Sequence, residues 1–270
     1  MEPVRIYLPK AETPQPVILF SHGLGGSRKN SPYLGNHWSQ NGYVAVFMQH
    51  IGSDESVWRD APPLQRMAKL KQAASLKSSL LRFEDVPYVI DQLEKWNREE
   101  GHPLHGRLNL EKIGMTGHSY GAATTQAVMG QDYSLNRNYE DERLDAFLPM
   151  SPNIHRTMPP EKSFGQIKKP VLLMTGTDDG SPLDPSVDGS VRQRVYDGLP
   201  AGDKFLLVFK DGEHHAFGDH GGQRTKKRID HHHAAIQTLS LLFWNAYLRD
   251  DTEAKKILAS EEARKTAQLV

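Results

Sequence analysis

The sequence predicts an α/β fold with a mostly parallel central sheet covered by helices on both faces. Three observations predict it. Strongly apolar runs of strand length recur along the chain, segments with helical spacing lie between them, and a glycine-flanked serine separates one such run from a helix-forming segment. Strands and helices that alternate in this way are typical of a right-handed parallel arrangement.

The apolar runs differ in ways that indicate their places in the sheet. Residues 4–8 alternate apolar and polar side chains and end at Pro9, which is typical of an outer strand. Residues 16–20 are almost continuously apolar, as expected for a central parallel strand with helices on both sides. Further strands are predicted at residues 43–49, 112–116, 144–150, 171–175 and 204–209.

Helices are predicted between these strands, at residues 32–41, after the central serine, at 83–98 and at 229–248. The connection over residues 52–80 is unusually long, and its pattern indicates one or two amphipathic helices at the rim of the site, as a partial cap. The alternative is a surface helix with no role in substrate choice. Only about twenty residues separate the strands at 144–150 and 171–175, so no large lid domain is expected there.

Composition limits the possible functions. The 270 residues are expected to form a single domain (1–270), and 33 Lys and Arg residues balance 33 Asp and Glu residues, so no nucleic-acid partner is expected. The absence of cysteine excludes disulfides, thiolate nucleophiles and cysteine metal sites. No apolar run approaches the roughly 18 residues of a membrane span, which predicts a soluble protein. Because the chain starts almost at a strand, removal of either a leader or a first strand is expected to explain its start, and the first of these alternatives favours an extracytoplasmic location.

The stretch Gly117-His118-Ser119-Tyr120-Gly121 is the centre of the predicted chemistry. A strand, a glycine-flanked serine and a helix form the nucleophile-elbow pattern, in which a tight turn exposes the hydroxyl at the carboxyl edge of the sheet. The flanking glycines leave room for a strained backbone at Ser119. The alternative is a glycine-rich turn with an incidental serine.

Partners for Ser119 follow later strands in the order Ser, Asp, His. An imidazole must take the serine proton, and a carboxylate must orient that imidazole. Spacing after Gly176 favours Asp179 over Asp178, whose alternative role is to cap the turn.

The same spacing argument, counted from Gly212, favours His215 over His214 as the base. In that interpretation His214 packs beside the active imidazole. Both ambiguities, in the carboxylate and in the histidine, stay open at this point.

Together with the Ser-His-Gly-Leu-Gly-Gly loop at residues 21–26, these motifs resemble the α/β-hydrolase superfamily over nearly the whole chain. Within it, the chain is most similar to bacterial proteins related to platelet-activating-factor acetylhydrolases, often labelled predicted dienelactone hydrolases, and more distantly to cutinase-like polyester hydrolases. True dienelactone hydrolases use a cysteine nucleophile, and this chain has none. Ala122 stands where many relatives have a third glycine.

The resemblance implies a serine carboxylic-ester hydrolase of the acetylhydrolase type without cofactor or metal. It implies an acyl-enzyme on Ser119, with an oxyanion hole formed by the backbone N–H groups of Leu24 and Tyr120. Short-acyl esters are the favoured substrates. The alternatives are bulky phospholipid or polyester substrates, amide cleavage by the same machinery, and a non-catalytic binding protein on a hydrolase fold. The sequence does not indicate an oligomeric state.

The other histidines are given structural roles. The run at residues 231–233 lacks the i, i+4 spacing of a zinc site, so a place at a helix start near the active loop is favoured. His118 is expected to pack under the sheet edge, and His22 to anchor its loop by hydrogen bonding.

Overall fold

The computed structural model describes residues 4–133, 137–155, 157–218 and 230–260. Seven strands form one sheet in the order β1-β3-β2-β4-β5-β6-β7, parallel except for β1, which pairs antiparallel to β3. The strands are β1 Val4–Tyr7, β2 Gln15–Ser21, β3 Val44–Met48, β4 Leu108–His118, β5 Ala146–Met150, β6 Val171–Asp178 and β7 Lys204–Glu213. All seven predicted strands are present, and this is the α/β-hydrolase architecture.

Helices cover both faces of the sheet. They are α1 Pro32–Gln40, α2 Pro63–Ala73, α3 Leu76–Arg98, α4 Tyr120–Val128, α5 Pro160–Phe164, α6 Gly189–Gly198, α7 Asp230–Leu248 and α8 Thr252–Ala259. The sequence patterns did not predict α5, α6 and α8. Between β5 and β6 the described residues hold only the short α5, so no lid domain is inserted there.

The central strand β2 shows why its sequence is continuously apolar. Ile18 and Phe20 belong to the core on one face, with Trp38 of α1 and Trp244 of α7. Val17 and Leu19 of the same strand belong to the core on the other face, together with the apolar stripe of α3. Because successive side chains of a strand point to opposite faces, a strand between two helical layers must be apolar at every position.

Parallel order brings the carboxyl ends of β2, β3, β4, β6 and β7 to one edge of the sheet. The loops that follow these strands carry the glycine-rich segment, the serine turn, the Asp178-Asp179 pair and the two histidines. The fold therefore gathers all the predicted site residues at one edge, where open parallel sheets bind their ligands.

Candidate active site

Ser119 lies in a strained turn between β4 and α4, with φ 60° and ψ −110°. The turn depends on its flanking glycines. A Cβ at Gly117 would lie 2.5 Å from the Gly121 carbonyl oxygen, and a Cβ at Gly121 would lie 1.9 Å from that of Ser21. No side chain fits at either position, so the residues around Ser119 have the geometry expected of a nucleophile elbow.

Two side chains complete a hydrogen-bonded chain from Ser119. Its Oγ lies 2.9 Å from Nε2 of His214, and Nδ1 of His214 lies 2.7 Å from Oδ1 of Asp179. Since the carboxylate only accepts, Nδ1 carries the proton in the neutral ring and Nε2 is free to accept the serine O–H. This is the arrangement in which an imidazole removes the proton of a serine.

The structure corrects the preference for His215. His214 contacts Ser119 and is buried, whereas His215 is exposed at the mouth of the adjoining cavity. Counting from Gly212 failed because β7 continues to Glu213 through an irregular step, with a positive φ of 56° at Asp211. The 3₁₀ turn that follows β7 therefore begins at His214, and this first residue of the turn contacts Ser119.

The structure brings Asp179, rather than Asp178, to the histidine. Asp179 is fully buried, and its second oxygen accepts a hydrogen bond from Thr175 Oγ1 at 2.8 Å. Asp178 ends β6 with an exposed side chain, and its carbonyl accepts from the Gly180 N–H. The preference for Asp179 from spacing agrees with this placement.

Arg192 of α6 is a buried cation beside the Asp179 carboxylate. Its Nε lies 3.1 Å from Asp179 Oδ1 and 2.9 Å from the Asp179 carbonyl oxygen, and Nη1 donates to the carbonyls of Ser151 and Pro152. Burial by itself would raise the pKa of Asp179, but the hydrogen bond from His214 and the charge of Arg192 outweigh burial and hold that pKa below its usual value. The carboxyl group therefore stays ionised at neutral pH.

Sequence reasoning missed Arg192, although one signal for α6 was present. Asp188 is the N-cap of α6 and accepts from the Val191 N–H at 3.0 Å. An aspartate followed by apolar residues four apart, at Val191 and Val195, is a helix-start pattern. That pattern predicts the helix, but not which of its side chains turns inward to the carboxylate.

Asn153 is a second residue that the sequence did not indicate. Its Nδ2 donates to the Ser119 carbonyl oxygen at 2.8 Å, and its own N–H donates to Gln126 Oε1 at 2.7 Å. It therefore ties the elbow to the loop after β5.

Leu24 and Tyr120, the residues implied as oxyanion donors, line the same cavity as Ser119. Tyr120 is the first residue of α4, a position whose N–H has no acceptor within the helix. The loop around Leu24 is held at Gly25, whose N–H donates to the Ser53 carbonyl and whose own carbonyl accepts from Trp58 Nε1 at 2.7 Å.

The cavity over Ser119 has a volume of about 460 Å³. One wall comes from α2, which contributes Met67 and Leu70. Although α2 contains no buried residue, two of its apolar side chains therefore border the candidate site. These residues belong to the 52–80 connection, whose role as a rim or partial cap stays a prediction.

Three contacts fix the segment that carries His214. His118 Nε2 donates to the His214 carbonyl at 2.9 Å, Tyr33 Oη donates to the Phe217 carbonyl at 3.1 Å, and His233 Nε2 donates to the Gly218 carbonyl at 3.0 Å. His118 is therefore a packing residue, as expected, and His233, stacked on Tyr33, places the start of α7 against this segment.

The histidine run at 231–233 points in different directions. His232 packs near Phe209 and His231 is exposed. Across the described ranges, no cluster of three or more histidine or acidic side chains has metal-binding geometry. Within those same ranges, no helix combines the length and apolarity that crossing a bilayer requires.

No family model matches the chain. The platelet-activating factor acetylhydrolase of Cavia porcellus is 24% identical to it over an alignment of 172 residues that covers 53% of this chain. The aligned region is 38% of that protein, so the chain spans well under half the length of this relative. At this distance the similarity supports a hydrolase function of the esterase kind in coarse terms, on an α/β-hydrolase fold.

Proposed function

We propose that the protein is a serine hydrolase that cleaves carboxylic esters of short acyl groups through an acyl-enzyme. The observation that carries the proposal is the chain Ser119, His214, Asp179, whose serine stands in a strained turn at the floor of a cavity. A serine with a directed imidazole and a place for a substrate has the parts that nucleophilic catalysis requires.

The proposed reaction has two stages. Ser119 Oγ attacks the ester carbonyl carbon while His214 Nε2 takes its proton, and the negative charge that forms on the carbonyl oxygen is stabilised by the N–H groups of Leu24 and Tyr120. His214 returns the proton to the departing alkoxide, which leaves as an alcohol. A water molecule then attacks the acyl-enzyme by the same route and releases the acid, restoring Ser119.

Asp179 orients His214 and stabilises its cation during both stages. Arg192 holds the Asp179 carboxylate ionised, and it approaches Nδ1 of His214 to 3.3 Å through Nη2. Since that nitrogen already donates to Asp179, the guanidinium there is a neighbour that limits ring rotation rather than a second donor.

Two features support small substrates. The cavity of about 460 Å³ suits a compact acyl group, and within the described residues no inserted lid domain covers it. The relative is named an acetylhydrolase, which is compatible with a short acyl group in the substrate of this chain.

A second candidate is hydrolysis of bulky lipid-like or polyester substrates. It is favoured by apolar side chains left in solvent on α2, which borders the cavity, and at the start of α3: Leu64 is 98% exposed, Leu76 69% and Met67 47%. Such a surface can lie on an aggregated substrate.

Hydrolysis of p-nitrophenyl acetate, butyrate, octanoate and palmitate by wild type and Ser119→Ala tests the proposal. We expect the rate to fall with chain length and to drop by about 10³-fold or more in the variant. Ser240→Ala is the matched control, because it removes a buried serine that accepts from Trp38 Nε1 between α1 and α7 and does not line the cavity.

Other outcomes separate the alternatives. A rate that rises toward palmitate favours the bulky-ester candidate. A Ser119→Ala protein as active as wild type contradicts the proposed nucleophile, and a wild type inactive on every ester, and unreactive toward a fluorophosphonate, favours a binding protein on this fold.

A further inference from the structure

A second Ser-His-Asp chain lies behind the candidate site. Ser21 Oγ is 2.8 Å from Nε2 of His50, and Nδ1 of His50 is 2.6 Å from Oδ2 of Asp85. Ser21 and His50 are completely buried, whereas the Asp85 side chain is 19% exposed. The proposed reaction does not use this chain, so its presence at the end of β2 needs another explanation.

The direction of each hydrogen bond in this Ser-His-Asp chain follows from Asp85, its last member. Asp85 accepts, so His50 Nδ1 carries the proton and His50 Nε2 accepts the Ser21 O–H. The lone pairs of the Ser21 oxygen are then left to accept from a third group. Arg82 Nη1 lies 3.2 Å from that oxygen and donates to it.

Arg82 is 1% exposed, and its guanidinium is held by neutral oxygens. Nε donates to Ser53 Oγ at 2.8 Å, and Nη1 donates to the His22 carbonyl at 2.9 Å. Within the part of the chain that the structure describes, no carboxylate forms an ion pair with it. Burial lowers the pKa of Arg82 to about 9, which leaves it a cation at neutral pH.

Arg82 contacts both segments that carry the proposed oxyanion-hole donors. In the loop that carries Leu24, it donates to the His22 carbonyl, two residues before Leu24. At the other segment, its guanidinium carbon lies 4.5 Å from the centre of the Tyr120 ring. Tyr120 is held from its far end by Ser79 Oγ, 2.8 Å from its hydroxyl.

The ring of His22 restrains the loop that carries Leu24. The His50 N–H donates to His22 Nε2 at 3.1 Å, so the His22 proton is on Nδ1, which donates to the Gly23 carbonyl at 2.7 Å. As expected from the sequence, His22 anchors its loop. The same His50 therefore orients both Ser21 and His22, and the loop that leads to Leu24 is fixed from two directions.

We propose that Arg82, oriented by the Ser21, His50 and Asp85 chain, is a positioning residue of the oxyanion hole and supplies it with positive charge. The inference rests on the proposed function. A buried guanidinium that, in the described residues, has no carboxylate within ion-pair distance acts on nearby negative charge far more strongly than it would in water. The Arg82 side chain does not have to reorganise when the oxyanion forms, because its hydrogen-bond acceptors already hold it in place.

The test compares wild type, Arg82→Gln, Arg82→Lys and Ser240→Ala in two measurements. The first is kcat and KM for p-nitrophenyl acetate. The second is inhibition by an alkyl trifluoromethyl ketone, which adds to the nucleophilic serine and places an oxyanion in the hole. Circular dichroism and thermal unfolding establish that each variant is folded.

For Arg82→Gln we expect kcat to fall about 10²-fold with KM little changed, and the ketone to bind more weakly by a similar factor. Arg82→Lys keeps the charge but loses the fork of donors, so it should recover about tenfold of that loss. Ser240→Ala should match wild type in both measurements.

A folded Arg82→Gln protein with kcat and ketone affinity within twofold of wild type overturns the inference. So does a loss confined to KM, because ground-state binding alone is then affected. If Arg82→Gln does not fold, Ser21→Ala decides: removal of one buried acceptor should lower kcat and ketone affinity together by about tenfold, and unchanged values overturn the inference.

The outcomes also separate this inference from the proposed function. Full activity in Ser119→Ala refutes the proposed function, and the inference with it. Activity that depends on Ser119 but not on Arg82 or Ser21 refutes the inference alone.

Discussion

The molecule holds two Ser-His-Asp chains of almost the same dimensions in very different settings. The serine-to-histidine and histidine-to-aspartate distances are 2.9 and 2.7 Å at Ser119, and 2.8 and 2.6 Å at Ser21. Ser119 occupies a strained turn and borders a cavity, whereas Ser21 ends a buried strand and already accepts from an arginine. Hydrogen-bond geometry therefore does not distinguish the two serines. Access to the cavity and backbone placement do, and they are the reasons for proposing Ser119 as the nucleophile.

The sharpest contrast between the chains should be covalent labelling. A fluorophosphonate needs an accessible nucleophile with room for a tetrahedral phosphorus, so we expect it to modify Ser119 completely and Ser21 not at all. Intact mass followed by peptide mapping measures this. Ser119→Ala should remain unlabelled, and label on the peptide that contains Ser21 would contradict the comparison.

The next largest effect separates the two adjacent histidines. We expect His214→Ala to lower kcat by about 10³-fold or more, because it removes the proposed base. His215→Ala should stay within about threefold of wild type, since its exposed ring lies at the mouth of the cavity. Steady-state kinetics on p-nitrophenyl acetate decide, and the reverse ranking would restore the preference drawn from spacing.

The elbow and the end of β2 meet at Gly121. A methyl group there should disturb both hydrogen-bonded Ser-His-Asp chains. Its Cβ would lie 1.9 Å from the Ser21 carbonyl oxygen, so we expect Gly121→Ala to cost about 3 kcal/mol of unfolding free energy or more. Urea unfolding measures the cost. Gly180→Ala is the control, because its Cβ would have only the Val187 carbonyl oxygen nearby, at 3.9 Å. Equal stability of the two variants would contradict this account of the turn.

The smallest expected effect concerns the two carboxyl groups, whose pKa values shift in opposite directions. Burial raises the pKa of Asp85 to about 6, above the value of the unfolded chain, so its stabilising contribution is present below about pH 4 and is lost as pH rises through 6. The pKa of Asp179 is lowered, so its contribution is present above the unfolded value and lost in acid.

The substitution Asp85→Asn removes the ionisable carboxyl group of Asp85. Relative to this variant, wild type should lose about 1 kcal/mol of unfolding free energy between pH 4 and pH 7, a figure reduced for the partial exposure of the carboxyl. Urea unfolding at both pH values measures the difference. A difference that is constant, or that grows with pH, would contradict the shift assigned to Asp85.

Much of this architecture could be predicted because apolar runs and glycine spacing are local signals. All seven strands and the serine turn at residue 119 follow from them. The choice of His214 could not be made, since it depends on an irregular step at Asp211 that spacing does not record. Arg82 and Arg192 could not be identified either, because a charged residue on a helix gives no local sign of whether it faces water or the interior.

The contacts that hold the His214 segment bear on the order in which the parts of the proposed site form during folding. Ser119 and its flanking glycines belong to β4 and α4, whereas the segment that carries His214 is held through Tyr33 of α1 and His233 of α7. Under the proposed function, a chain in which α7 has not yet packed against this segment therefore presents Ser119 without a secured base, so reactivity waits for the packing of α7.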